Sequence, residues 1–135
     1  MKSLVISGLV FAASANASAI QFIECKVSSG TIKVAKDLTT SKMTWFETAN
    51  GSATTTPANV SCEDFKQESL PSDESTTNLL KMMNIDPKNV AGMVSVDCMY
   101  GEIGNRLTQF NSKDGKRLGV VIFTTNLLVM PLICQ

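Results

Sequence analysis

Four cysteines, Cys25, Cys62, Cys98 and Cys134, are the residues whose type and spacing most constrain what chemistry this chain can do. A redox pair, a metal centre or two disulfides could each use them. No two lie two residues apart, so the Cys-x-x-Cys arrangement that lowers a thiol pKa and supports exchange is missing. No pair has zinc-ligand spacing, and the chain has no histidine to complete a ligand set. Two structural disulfides are therefore expected, with no metal and no cofactor. Pairing Cys25 with Cys134 and Cys62 with Cys98 would tie the terminal strands together and hold a helical insert against a sheet. Sequential pairing uses the bridges nearly as well, and alternation stays open. The nearly equal intervals between the cysteines are not a repeat, because their neighbourhoods share only an apolar residue two before each cysteine.

The lack of histidine also removes serine–histidine and cysteine–histidine nucleophiles. What remains for acid–base work is carboxylates: the pairs Glu63-Asp64 and Asp73-Glu74, and Asp97 with Glu102 at a strand end. A hydrolase of that type needs two acids in different environments facing one site. The first two pairs fit helix N-termini and the third fits a wet sheet face, so the chain is not expected to be an enzyme. The glycines are scattered with no phosphate-loop spacing, and residues 86 to 89 lack the acid density of a calcium loop.

Binding residues are the other class to consider. Trp45 and Phe46 precede a long polar stretch, the place where recognition modules put rigid aromatic anchors, although a lone tryptophan serves equally as core. Met82 and Met83 read as core filler at helical spacing. Lys113, Asp114 and Arg117 would present charge from a hairpin loop over residues 111 to 117. A rigid loop of that kind can enter the cleft of another protein.

The elements that position these residues follow from periodicity. Residues 20 to 27 and 31 to 35, split by Ser28-Ser29-Gly30, predict an N-terminal hairpin. Residues 43 to 46 predict a strand, and 47 to 58 an exposed loop. Ser61 and Asp64 give a capping-box signal for a short helix over 62 to 67. Ser72 would cap a longer helix whose buried stripe is Leu79, Leu80, Met82 and Met83, ended by Asn84 and Pro87. From Gly92 on the chain reads as β structure. Val94, Val96, Cys98 and Tyr100 share one face, and Ser95, Asp97 and Met99 the other. Residues 106 to 110 and 117 to 123 form a hairpin around Asp114-Gly115. The apolar runs 118 to 123 and 127 to 134 would be covered on both faces, with the last strand bending or leaving the sheet at Pro131. The fold class is mainly β or α+β: an antiparallel meander of six or seven strands, as a sandwich or small barrel, with a short helical insert near residues 62 to 84.

Lys2, the compact apolar stretch 4 to 13 and Ala17-Ser18-Ala19 form an export signal over residues 1 to 19, which leaves one domain over 20 to 135. That apolar stretch is about half the ~20 residues of a bilayer span. The second apolar region, 118 to 134, is interrupted at residues 124 to 126 and at Pro131, so no integral membrane segment is expected in the mature chain. Twelve basic and twelve acidic residues give no electrostatic footprint for nucleic acid. Sequons at Asn50 and Asn59 would matter only in a eukaryotic secretory pathway. Together these readings predict a small exported domain, periplasmic or secreted. It would act by binding a protein or envelope ligand, as an inhibitor of or adaptor to an extracytoplasmic protein; the alternatives are a self-associating envelope component and a carboxylate hydrolase.

Overall fold

The computed structural model describes residues 22 to 125 and 131 to 135. The export signal, its cleavage point before Ile20 and residues 127 to 130 of the last apolar run lie outside the described residues. Two antiparallel sheets and one helix form three layers. The first sheet is β1 (Phe22–Val27), β2 (Gly30–Lys36) and β3 (Met43–Ala49), paired in that order. The second is built on β6 (Gly92–Tyr100), β7 (Ile103–Asn111) and β8 (Arg117–Thr124). β9 (Leu132–Ile133) adds to the β8 side, while β4 (Val60–Cys62) and β5 (Lys66–Glu68) both pair along the far side of β6. Helix α1 (Glu74–Met82) packs on the outer face of this six-stranded sheet.

Alternation places Ile23, Cys25, Val34 and Trp45 from the first sheet against Val94, Val96, Cys98, Leu107, Val120 and Ile122 from the second. The opposite face of the second sheet is also buried where Phe110 and Val121 meet Leu80 and Ile85. Burial on both faces explains the nearly continuous apolar run in β8. It also alters the two-face reading of β6, since Ser95 is 1% exposed beneath the helix and bonds Thr108 across the ladder at 2.9 Å. A buried hydroxyl pair that satisfies itself avoids the desolvation cost of either one alone.

Three local expectations are corrected. Residues 62 to 67 are not helical: Cys62 pairs with Cys98, Glu63 N–H donates to the Asp97 carbonyl at 2.9 Å, and β5 follows. Asp64 accepts from Phe65 N–H instead of capping a helix, and non-local ladder pairing outweighs the local capping signal. The N-cap of α1 is Asp73, not Ser72, because its carboxylate accepts from Thr76 N–H at 2.7 Å and complements the helix dipole. Met82 is 55% exposed and leaves the buried stripe to Leu80, with Ile85 reaching back after Asn84 turns the chain at φ 59°. The stretch after β3 is exposed as expected, but β3 itself runs through Ala49, and Thr55 exchanges two backbone hydrogen bonds with Glu47.

The disulfides are Cys25–Cys134 and Cys62–Cys98. The first joins β1 to the residue after β9, beside Gln135 N–H donating to the Lys26 carbonyl, and so fastens the two sheets at one margin. The second links directly opposed residues of β4 and β6.

Two stability outcomes follow. Gly30 has φ 155°, and a Cβ there would overlap the Thr48 carbonyl oxygen, so Gly30→Ala should cost about 2 kcal/mol or more in urea unfolding. Replacing Cys62 and Cys98 together by serine should cost about 4 kcal/mol by the same measurement. A loss below about 1 kcal/mol would show that the β4–β6 ladder holds without its bridge.

Candidate functional site

Helix α1 has nine residues and β6 also has nine. At their respective rises the helix is about 14 Å long and the strand about 30 Å. The helix therefore cannot roof the whole outer face, and a trough of about 410 Å³ opens beside it. Leu79 and Pro71 form its helix-side wall, while Met93, Phe110 and Phe123 give an apolar floor. Thr76, Thr108 and Thr125 add hydroxyls, and Asp97 with Arg106 closes one end.

The Asp97–Arg106 pair is set by the ladder. Gly101, at φ 63°, and Glu102 form a two-residue turn beyond the pair Tyr100–Ile103, and counting back from that turn places Asp97 opposite Arg106. Arg106 Nε and Nη2 donate to the two Asp97 oxygens at 2.7 and 3.0 Å, a side-on fork. Lys66, from β5, donates to Asp97 Oδ2 at 3.4 Å and also lies 3.4 Å from Glu63. Glu68 Oε1 is buried without a hydrogen bond and sits 3.9 Å from Arg106 Nη1. The Arg106 fork, outweighing partial burial, holds the Asp97 carboxyl below the usual carboxylate range, with Lys66 adding to the effect. The same pairing raises Arg106. Asp97 is thus kept as an ionised anchor and is poorly suited to donate a proton.

A second depression, about 360 Å³, lies on the far side of the ion pair. Its lining includes Ser61, Glu63, Asp97, Asn105 and Thr125 around the Cys62–Cys98 bridge. Asp97 and Thr125 line both depressions.

The residues singled out in the sequence lie elsewhere. Trp45 is 4% exposed, its Nε1–H donates to Glu47 Oε2 at 3.0 Å, and its ring meets Tyr100 edge-on with centroids 5.9 Å apart. Its side chain is core, so it offers no anchor to a partner. Phe46 is half-buried on the outer face of the first sheet, where it lines a shallow depression with Glu24, Lys33 and Thr48. Arg117 donates to the Glu24 carbonyl at 2.9 Å and so clamps the two sheets. Asp114 accepts from Ser112 and lies 3.9 Å from Lys116, leaving exposed Lys113 at the tip of a hairpin braced by Ser112 and Lys116. Glu102 is exposed at the β6–β7 turn, whereas the carboxylates grouped with Asp97 through shared cations are Glu63 and Glu68. Arg106 and Lys66 were missed by residue-type reasoning. The signal that could have found Arg106 was the register fixed by the Gly101-Glu102 turn. Among the described residues there is no cluster of three or more metal-capable side chains, and no helix is long and apolar enough to cross a membrane.

Because the folded Asp97 pKa is depressed, its stabilisation is present above the ordinary carboxylate value of about 4 and disappears as pH falls through the folded value. Asp97→Asn should therefore lower stability at pH 7 and make the acid limb of the stability curve shallower. Asp37 and Asp73, depressed by local hydrogen bonds, and Asp64, depressed chiefly by the Lys36 ammonium, keep that limb from vanishing. Urea midpoints from pH 2 to 7 would check this, and an unchanged acid limb would show that Asp97 gains nothing from Arg106.

Comparison with protein-family models, with curated proteins and with solved structures found no match for this chain.

Proposed function

We propose that this is a small exported binding domain whose site is the trough between α1 and the outer face of the six-stranded sheet. The observation that carries the reading is the trough itself. A volume of about 410 Å³, an apolar floor and a few polar groups at the margins are the features of a ligand site. Two disulfides support work in an oxidising compartment, periplasmic or extracellular. The ionised, doubly paired Asp97 favours recognition over carboxylate catalysis.

The test uses the oxidised protein and an apolar fluorescent probe, anilinonaphthalene sulfonate. One saturable site should appear, and Thr76→Trp, which fills the trough from a half-buried position on the helix, should weaken it at least tenfold while thermal stability changes little. Phe46→Ala, on the opposite side of the molecule, should leave binding unchanged. Probe binding that ignores Thr76→Trp would remove the trough as the site.

A further inference from the structure

Asn50 is the one asparagine of the chain that is followed by glycine. A side chain on the next residue crowds the main-chain nitrogen and hinders its approach to the asparagine carboxamide, and glycine has none. The pair lies in a turn directly after β3, closed by Ser52 N–H donating to the Ala49 carbonyl at 3.0 Å, with Gly51 at φ 79°. Both residues are exposed, a Cβ built on Gly51 would have nothing within 4 Å, and the Gly51 N–H makes no hydrogen bond among the described residues. The nitrogen that could attack Asn50 is therefore unhindered and open to water.

Asn50 also joins two parts of the first sheet. Its main-chain N–H donates to the Ser29 carbonyl at 3.1 Å and its Nδ2 to the Ser28 carbonyl at 2.5 Å, so it clasps the β1–β2 turn to the end of β3. The second bond needs an amide. A carboxylate at this position would set two acceptors against each other.

We propose that Asn50 is a self-modification site whose conversion opens this clasp. The Gly51 nitrogen gives its proton to hydroxide and bonds to Asn50 Cγ, closing a five-membered succinimide, while the Cγ–Nδ2 bond breaks and Nδ2 leaves as ammonia with a proton from water. Water then opens the ring at either carbonyl. Opening at Cγ leaves aspartate, and opening at the main-chain carbonyl leaves isoaspartate, whose main chain runs through the side-chain methylene. One water is consumed, one ammonia is released, and nothing is oxidised or reduced. The surface gains one negative charge. Nδ2 must let go of Ser28 before it can leave, so the fold slows the step relative to a free peptide.

The test incubates the oxidised protein at pH 9 beside the capped peptide acetyl-Ala-Asn-Gly-Ser-amide, following intact mass and the reduced tryptic peptide that spans residues 43 to 66. The protein should gain about 1 Da at position 50, as an amide becomes an acid, in two separable isomers and several-fold more slowly than the peptide. Asn50→Gln, which keeps an amide but would need a larger ring, should gain nothing there. Asp114-Gly115 can close the same ring by losing water, but it returns to its own mass and does not contribute. The converted protein, separated by anion exchange, should melt a few degrees below the unconverted form. No gain at position 50 over ten half-lives of the peptide, or an equal gain in Asn50→Gln, would overturn the modification. Conversion at the peptide's own rate, or equal thermal midpoints, would overturn the clasp.

Discussion

The six-stranded sheet has apolar side chains on both faces of β6, β7 and β8, and the rest of the molecule is arranged around covering them. Val96, Leu107 and Val120 point to one side, Phe110 and Val121 to the other. Neither face can be left to water, because each buried large apolar side chain is worth about 2 kcal/mol. The first face is covered mainly by the three-stranded sheet, with Phe65 also packed against that core, and is held at its margin by Cys25–Cys134 and by Arg117 donating to the Glu24 carbonyl. The second is closed by a helix too short for the strand beneath it. What the helix leaves uncovered is where polar residues appear on the strands, and that unfinished cover is the candidate site.

The ion pair occupies the boundary between covered and uncovered sheet. Towards the helix the face carries Phe110 and the self-satisfied Ser95–Thr108 pair. Away from it the face carries Asp97, Arg106 and Met99. A forked arginine–carboxylate pair is about 30 to 40% exposed at each side chain, so it retains solvation while fixing the ends of both depressions. The same fork limits the chemistry, for it holds Asp97 ionised.

Much of the fold was legible in the sequence because strand periodicity and turn chemistry are local. The two hairpins, around Ser28-Ser29 and Asp114-Gly115, and the helix near residues 74 to 82 appear where residue types place them. The pairing Cys25–Cys134 and Cys62–Cys98 is one of the three the spacing left open, and the structure selects it. The false helix at residues 62 to 67 arose because a Ser61–Asp64 capping signal is local, whereas the competing ladder to β6 spans a disulfide loop of 36 positions. The site was less legible for the same reason. Trp45 drew attention by its type, yet its partners Glu47 and Tyr100 place it in the core. Arg106 has nothing unusual in its neighbourhood and gains its role only from standing opposite Asp97, on a face that a distant helix half covers.

The proposed function places the ligand on the half-covered outer face of the six-stranded sheet. Intermolecular nuclear Overhauser effects between bound anilinonaphthalene sulfonate and methyl-labelled leucine and methionine residues test it most directly. The expected contacts run from the probe's aromatic rings to Leu79 and Met93, with none to Leu38 or Met43, which belong to the region around β3. Contacts confined to the first sheet, or spread over exposed methyls without preference, would contradict it.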